Sequence, residues 1–277
     1  MVNFLEIYEK QTGTHLGSEA QRLTPLFQKI VAGELLPPRG QQAVDCGFTA
    51  HTLNDPNVNP PIYKYYQWVL ATIAANTPIH ELPAKIIGDE FICANIFQTN
   101  WPQPLTVNHW QVEDVLKLPL TTQRAVIIEN NGVFIWLHHL QPTWPLILQS
   151  GNDFNPVYKE VVAVLARQIE FTYLGDLDTQ GIKMADTLTA LIKQTGGDYS
   201  HLADIQNPGQ AASWVAGYGI SMNANQRIHA DATIGDATWQ QEANFLEISR
   251  KFVEQEQLIR EYKRAVPRWL AGFHYEN

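Results

Sequence analysis

The stretch that most constrains the fold of this chain runs from residue 169 to 181 and reads IEFTYLGDLDTQG. A β-prone run, Ile169 to Leu174, ends at Gly175, and then Asp176 and Asp178 precede a helical pattern. Because Asp is disfavoured inside strands, the Asp-x-Asp marks the carboxyl end of this strand. Ligand sites of open α/β sheets lie at that edge, so the sequence places two carboxylates where a site is expected.

Two further strand–loop–helix units precede this one. Their strands are short and continuously apolar, 125–128 (AVII) and 145–149 (PLILQ), which is typical of strands buried in a parallel sheet. The helices that follow the three strands are predicted over 133–140, 156–168 and 182–194. Three such units in succession predict a parallel sheet with helices on its faces.

The three strand ends are expected to share one edge of the sheet, because parallel crossover connections have one hand. Glu129 follows the first strand, Ser150 to Asp153 follow the second, and Asp176 with Asp178 follow the third. Carboxylates this close repel one another unless a cation or a shared proton lies between them. A divalent metal, above all Mg²⁺ with its preference for oxygen ligands, is one explanation. An Asp-rich turn that caps the next helix is the other.

Composition describes an ordinary folded protein, with 45% hydrophobic and 17% charged residues and no apolar run of transmembrane length. The opening residues lack the basic and apolar regions of a signal peptide, and the two cysteines have no metal-type spacing, so we expect a cytoplasmic protein. The net charge of −9 argues against a chain that coats nucleic acid by bulk electrostatics.

The region before residue 119 reads as mainly helical and rich in loops, with breaks such as NDPNVNPP at 54–61. An aromatic cluster follows that break, formed by Tyr63, Tyr65, Tyr66 and Trp68. Such rings can stack on bases, but burial preferences favour a place in the core.

The order of the acidic motifs resembles the Toprim domain, the metal-binding catalytic module of type IA and type II topoisomerases, bacterial primases and some nucleases. In that pattern a glutamate follows a first hydrophobic strand, here AVIIEN, and Asp-x-Asp follows a later one, here YLGDLDTQG. Gly181 matches the version in the topoisomerase VI A subunit. With LILQSGN between these motifs and FLEISRKFVEQEQL near the C-terminus, residues 120–260 are similar to the Toprim-bearing nuclease subunit of Wadjet anti-plasmid systems.

The resemblance implies a fold and a division of the chain. The fold is α/β, with a Toprim-like, Rossmann-like parallel sheet flanked by helices in residues 119–222. Residues 1–118 form a mainly helical region that includes a reduced winged helix, to which Thr106 to Leu116 would belong, or a partner-binding part. Residues 223–277 form a C-terminal helical extension.

The resemblance also implies a chemistry. Asp176 and Asp178 are Mg²⁺ (or Mn²⁺) ligands, and Glu129 is a third ligand or a general acid/base that works through a bound water. Related topoisomerases cut with a tyrosine from a separate domain; no tyrosine here matches that context, so hydrolysis of DNA phosphodiester bonds by water is expected. The implied partners are DNA, a condensin-like ATPase or other subunits of a plasmid- or phage-defence complex, and a second copy of the chain in a homodimer, with no membrane.

Two alternatives remain open. Haloacid-dehalogenase-type phosphatases also have a hydrophobic strand that ends in Asp-x-Asp, and in that reading Asp176 is the nucleophile and Asp178 the general acid/base. That motif normally opens its domain, whereas two β–α units precede it here. The other alternative is a Toprim-like subunit that serves assembly without cutting DNA.

Overall fold

The computed structural model describes residues 2–37, 39–49, 51–81, 89–149, 154–221, 224–230 and 232–272. The chain divides into two units, Met1–Ile86 and Ile87–Asn277, and each has its own hydrophobic core. The predicted fold class is confirmed: a helical N-terminal region precedes a five-stranded sheet that is flanked by helices.

The first unit is helical. Its helices are α1 (Phe4–Thr12), α2 (Thr24–Val31), α3 (Arg39–Asp45) and α4 (Pro60–Thr72), with a 3-10 helix at Ser18–Leu23. The side chains of Asn3 and Asn59 cap α1 and α4 by accepting a hydrogen bond from a first-turn backbone N–H, as Asn does at helix starts. Tyr65 and Tyr66 are fully buried and face the ring of Phe27, which confirms the core interpretation for these two rings; Trp68 packs against the same core but is only partly buried, as is Tyr63.

The second unit is built on the sheet. Its strands are β1 (Glu90–Ala94), β2 (Leu105–Asn108), β3 (Arg124–Ile128), β4 (Leu146–Leu148) and β5 (Glu170–Leu174), in the spatial order β2-β1-β4-β3-β5. Its helices are α5 (Val112–Val115), α6 (Asn131–Leu140), α7 (Pro156–Leu165), α8 (Thr179–Gln194), α9 (Pro208–Tyr218), α10 (Ala224–Arg227), α11 (Ala237–Ser249) and α12 (Ile259–Leu270). Two 3-10 helices lie at His109–Gln111 and Gln255–Leu258.

The three predicted strands are parallel and adjacent. Central β3 pairs with β4 on one side and with β5 on the other, and Ile128 is in register with both Leu148 and Leu174. The residues that follow β3 and β5 therefore leave the sheet at the same level, as expected. The third expected contributor, Ser150 to Asp153, lies outside the described residues.

Strands β1 and β2 lie within the region that the sequence predicted as mainly helical. They pair antiparallel with each other, and β1 also pairs antiparallel with β4, with Cys93 opposite Ile147. Thr106 to Leu116, assigned from the resemblance to a reduced winged helix, contributes β2, a 3-10 helix and α5 to this sheet unit. Each strand has at most five residues, which is too short for a pattern of alternating polarity to stand out.

The described helices include none that is long and apolar enough to cross a membrane. Cys46 and Cys93 are both free thiols, and Cys93 is buried in β1.

Candidate functional site

The three predicted site residues lie together at the carboxyl edge of the sheet. Glu129 follows β3, and its Oε2 accepts a hydrogen bond from the backbone N–H of Asp176 at 3.0 Å. Asp176 and Asp178 follow β5, and a single side chain, that of Arg227, contacts both. We call Glu129, Asp176 and Asp178 the acidic cluster.

Asp178 is the N-terminal cap of α8. Its Oδ1 accepts hydrogen bonds from the backbone N–H groups of Gln180 (2.9 Å) and Gly181 (2.8 Å), and the residue is only 3% exposed. The capping interpretation of this turn is therefore confirmed for Asp178. Its other oxygen, Oδ2, lies 3.1 Å from Nε of Arg227.

The two carboxylate oxygens of Asp176 also have different partners, one in the backbone and one in Arg227. Its Oδ1 accepts a hydrogen bond from the backbone N–H of Gln255 at 2.8 Å, and its Oδ2 lies 3.3 Å from Nη2 of Arg227. In both aspartates, therefore, one oxygen is held by the backbone and the other points toward the same guanidinium group.

The two glycines that flank the Asp-x-Asp are required by close packing. A Cβ on Gly175 would lie 2.6 Å from Oε2 of Glu129 and 2.6 Å from the hydroxyl of Tyr173. A Cβ on Gly181 would lie 2.2 Å from the carbonyl oxygen of Asp176. Neither distance is possible without moving the backbone or a buried ring, so Gly is needed at both positions for the cluster to form.

Burial disfavours the ionised forms of two members of the acidic cluster. Desolvation, reinforced by the charge of Asp176, raises the pKa of Glu129 to about 7. Desolvation also raises the pKa of Asp176 to about 6, against the opposing effects of the Gln255 N–H and of Arg227. Both shifts mean that the site stabilises a bound cation better than it stabilises further negative charge.

Gln255 holds the strand ends together, and sequence reasoning missed it. Its side-chain Nε2 donates to the carbonyl of Leu174 at 2.7 Å, and its Oε1 accepts from the backbone N–H of Asn130 at 2.9 Å. The segment before it pairs with the Asp-x-Asp through reciprocal backbone hydrogen bonds between Leu177 and Val253. The only sequence signal was the stretch VEQEQ, whose polar residues also fit an exposed helix.

Arg227 was also missed, because nothing in its local sequence sets it apart. It belongs to the short helix α10 and reaches the cluster from 51 residues beyond Asp176. Its Nη2 also lies 3.2 Å from Oε1 of Glu254, and its guanidinium carbon lies 5.1 Å from the centre of the Phe252 ring.

The donor atoms of the acidic cluster fit a divalent cation by their chemistry, because Mg²⁺ prefers carboxylate oxygens. Among the residues that the structure describes, however, no three His, Cys, Asp or Glu side chains are arranged to hold a metal ion together. The cation in contact with Asp176 and Asp178 is the guanidinium of Arg227.

The model of the C-terminal region of the Wadjet protein JetD matches residues 90–265 of this chain. The chain belongs to the Wadjet JetD family. The match begins at the first residue of β1 and ends within α12, so it includes the acidic cluster, Arg227 and Gln255. The family resemblance drawn from the motifs is thereby confirmed, and a Wadjet JetD protein is a subunit of a defence complex. No curated protein matches the chain.

Proposed function

We propose that this chain is a Toprim-type nuclease subunit of a Wadjet defence complex, which hydrolyses DNA phosphodiester bonds with Mg²⁺ or Mn²⁺ held by Glu129, Asp176 and Asp178. The observation that carries the proposal is the convergence of these three carboxylates at the carboxyl edge of three parallel strands. Family membership supplies the biological setting, a subunit of a multi-protein defence complex.

Each acidic residue has a role that its environment supports. A divalent ion bound there would stabilise the charge that develops on a phosphodiester and lower the pKa of the attacking water. Asp176 and Asp178 would offer the Oδ2 atoms that the backbone leaves available. Glu129 would serve either as the third ligand or, through a bound water, as a general acid/base, a role that its pKa of about 7 suits at neutral pH.

The charge of the chain favours delivery to DNA by partners. With a net charge of −9, bulk electrostatics repel the phosphate backbone at long range. Other subunits of the complex, such as a condensin-like ATPase, would bring this chain to the DNA. Cleavage is therefore expected to be faster when these subunits are present.

The test is incubation with supercoiled plasmid and Mg²⁺ or Mn²⁺, with and without the partner subunits. We expect nicked or linear product, abolished by Asp176→Asn and by Asp178→Asn and reduced about 10²–10⁴-fold by Glu129→Gln. Glu160→Gln, which makes the same change at an exposed position of α7, is the matched control and should cut normally. Cleavage that survives Asp176→Asn would contradict the proposed site.

One observation favours a subunit that assembles without cutting: a protein cation, Arg227, already contacts both aspartates. If Mn²⁺ raised the melting temperature of the wild type no more than that of a Glu129→Gln, Asp176→Asn, Asp178→Asn triple variant, this second function would replace the first. If the chain instead hydrolysed small phosphomonoesters through a phosphorylated Asp176 intermediate, that result would favour the phosphatase alternative.

A further inference from the structure

We propose that Arg227 and a divalent metal ion compete for the same oxygens of the acidic cluster, so that the metal binds only when the guanidinium moves out. The inference rests on the proposed metal site and concerns how that site is regulated. It makes Arg227 an internal counter-ion that closes the site.

The contested atoms are the two Oδ2 oxygens. Backbone N–H groups hold the Oδ1 atoms of Asp176 and Asp178, which leaves Oδ2 of each as the oxygen that faces outward from the backbone. Those Oδ2 atoms are the ones that Arg227 contacts, at 3.3 and 3.1 Å. A metal ion that used both would need the space between them that the guanidinium fills.

Either the guanidinium of Arg227 or a divalent metal ion can offset the negative charge of the acidic cluster. Arg stays protonated in proteins, so Arg227 always brings one positive charge to a cluster of three carboxyl groups. Without any cation these buried groups repel one another, and with a divalent ion beside Arg227 the two cations repel each other. Because a metal ion that used both Oδ2 atoms would need the position of the guanidinium, we expect only one of the two cations to contact these oxygens at a time.

The displaced side chain has a place to go without unfolding its segment. Glu254 is about half exposed and lies 3.2 Å from Nη2 of Arg227, and the Phe252 ring faces the guanidinium. The backbone N–H of His229 donates to the hydroxyl of Thr179 at 2.8 Å, which anchors the segment after α10 to the start of α8. A rotation of the Arg227 side chain toward Glu254 would free the Oδ2 atoms while these contacts persist.

The test is Mn²⁺ binding to the full-length chain, followed by electron paramagnetic resonance, which needs no cleavage activity. We expect Arg227→Gln to bind Mn²⁺ at least about 10-fold more tightly than the wild type, within the usual range of coupling between sites. Arg227→Lys should lie between the two, because an ammonium group cannot contact both aspartates as a fork. Arg264→Gln removes the same charge from an exposed position and should bind like the wild type.

The outcomes separate this inference from the proposed function. If the wild type binds Mn²⁺ and Arg227→Gln binds it equally or more weakly, the competition is refuted and the metal site stands. If neither protein binds Mn²⁺, the metal site itself is refuted, and the inference with it. Tight binding by Arg227→Gln that persists after Asp178→Asn is added would place the ion elsewhere and also refute the competition. Should Arg227→Gln fail to fold by circular dichroism, Arg227→Lys decides, and unchanged affinity in that variant refutes the competition.

Discussion

Asp176 and Asp178 each use one oxygen for structure and leave the other to a cation. The structural oxygen accepts a backbone hydrogen bond, from Gln255 to Asp176 and from the first turn of α8 to Asp178. Hydrogen bonds to an ionised group are among the stronger ones in proteins, so both carboxylates are fixed in orientation. At the residue scale, therefore, the same side chains stabilise the turn and present the candidate site.

The first prediction concerns Gly181→Ala. The added Cβ would lie 2.2 Å from the Asp176 carbonyl oxygen, so the turn must shift, at a cost of about 1–3 kcal/mol in the free energy of unfolding. Gly217→Ala is the matched control, because a Cβ there meets no atom within 4 Å and the helix α9 favours Ala. Urea denaturation measures both variants; equal stability of the two would contradict the packing argument.

A buried carboxyl group behind the site makes stability depend on pH. Glu242 of α11 is 1% exposed, and desolvation holds its pKa well above the ordinary value of 4.5. Neither carboxyl oxygen of Glu242 has a hydrogen-bond partner among the described residues, which adds to the cost of an ionised form. Glu242 is therefore expected to be protonated in the native state.

The second prediction follows from the sign of that shift. A carboxyl group with a raised folded-state pKa contributes most to stability below the unfolded-state pKa, and the contribution falls as pH rises toward the folded-state pKa. Glu242→Gln should therefore gain stability relative to the wild type as pH rises above the ordinary value of 4.5, by up to about 1.4 kcal/mol per pH unit while the native carboxyl stays protonated.

The comparison is made by urea denaturation at several pH values. Glu247→Gln, which makes the same change at an exposed position of the same helix, is the matched control. A difference between Glu242→Gln and the wild type that did not change with pH would contradict the raised pKa of Glu242.

At the scale of elements, the sequence predicts those strands and helices whose own residues mark where they lie. The strands β3, β4 and β5 are short apolar runs, and α6, α7 and α8 begin after Asn130, Asn155 and Asp178, whose side chains cap them. Local propensity and capping chemistry suffice there. The strand ends could then be placed at one edge by topology alone.

The remaining parts of the site depend on contacts between distant segments. Gln255 meets Leu174 across 81 residues, and Arg227 meets Asp176 across 51. Neither residue has a local pattern that marks it, because its role exists only after the chain has folded. The antiparallel pairing of β1 with β4 was missed for the same reason.

The third prediction tests the segment that closes over the strand ends. Gln255→Ala leaves the N–H of Asn130 and the carbonyl of Leu174 without their partner, at a cost of about 1–3 kcal/mol for each buried group that stays unsatisfied. Hydrogen exchange should accelerate at the amides of Asn130 and Leu177, as measured by NMR. Gln241→Ala, at an exposed position of α11, should leave both exchange rates unchanged. Unchanged protection in Gln255→Ala would contradict the bridging role.

At the scale of the whole molecule, two units with separate cores divide the chain. The family match begins at residue 90, at the start of the sheet, and the acidic cluster, Arg227 and Gln255 all belong to the second unit. This unit is expected to carry the chemistry, and the helical first unit lies outside the matched region. The net charge of −9 is a property of the whole chain and opposes its long-range attraction to nucleic acid.

The most direct test of the central claim is a crystal structure at saturating Mn²⁺, with anomalous diffraction to locate the ion. The account predicts an anomalous peak at coordination distance from the Oδ2 atoms of Asp176 and Asp178 and near Glu129. It also predicts that the Arg227 side chain will have turned toward Glu254. A structure with no peak in the acidic cluster, and with Arg227 still in contact with both aspartates, would contradict it.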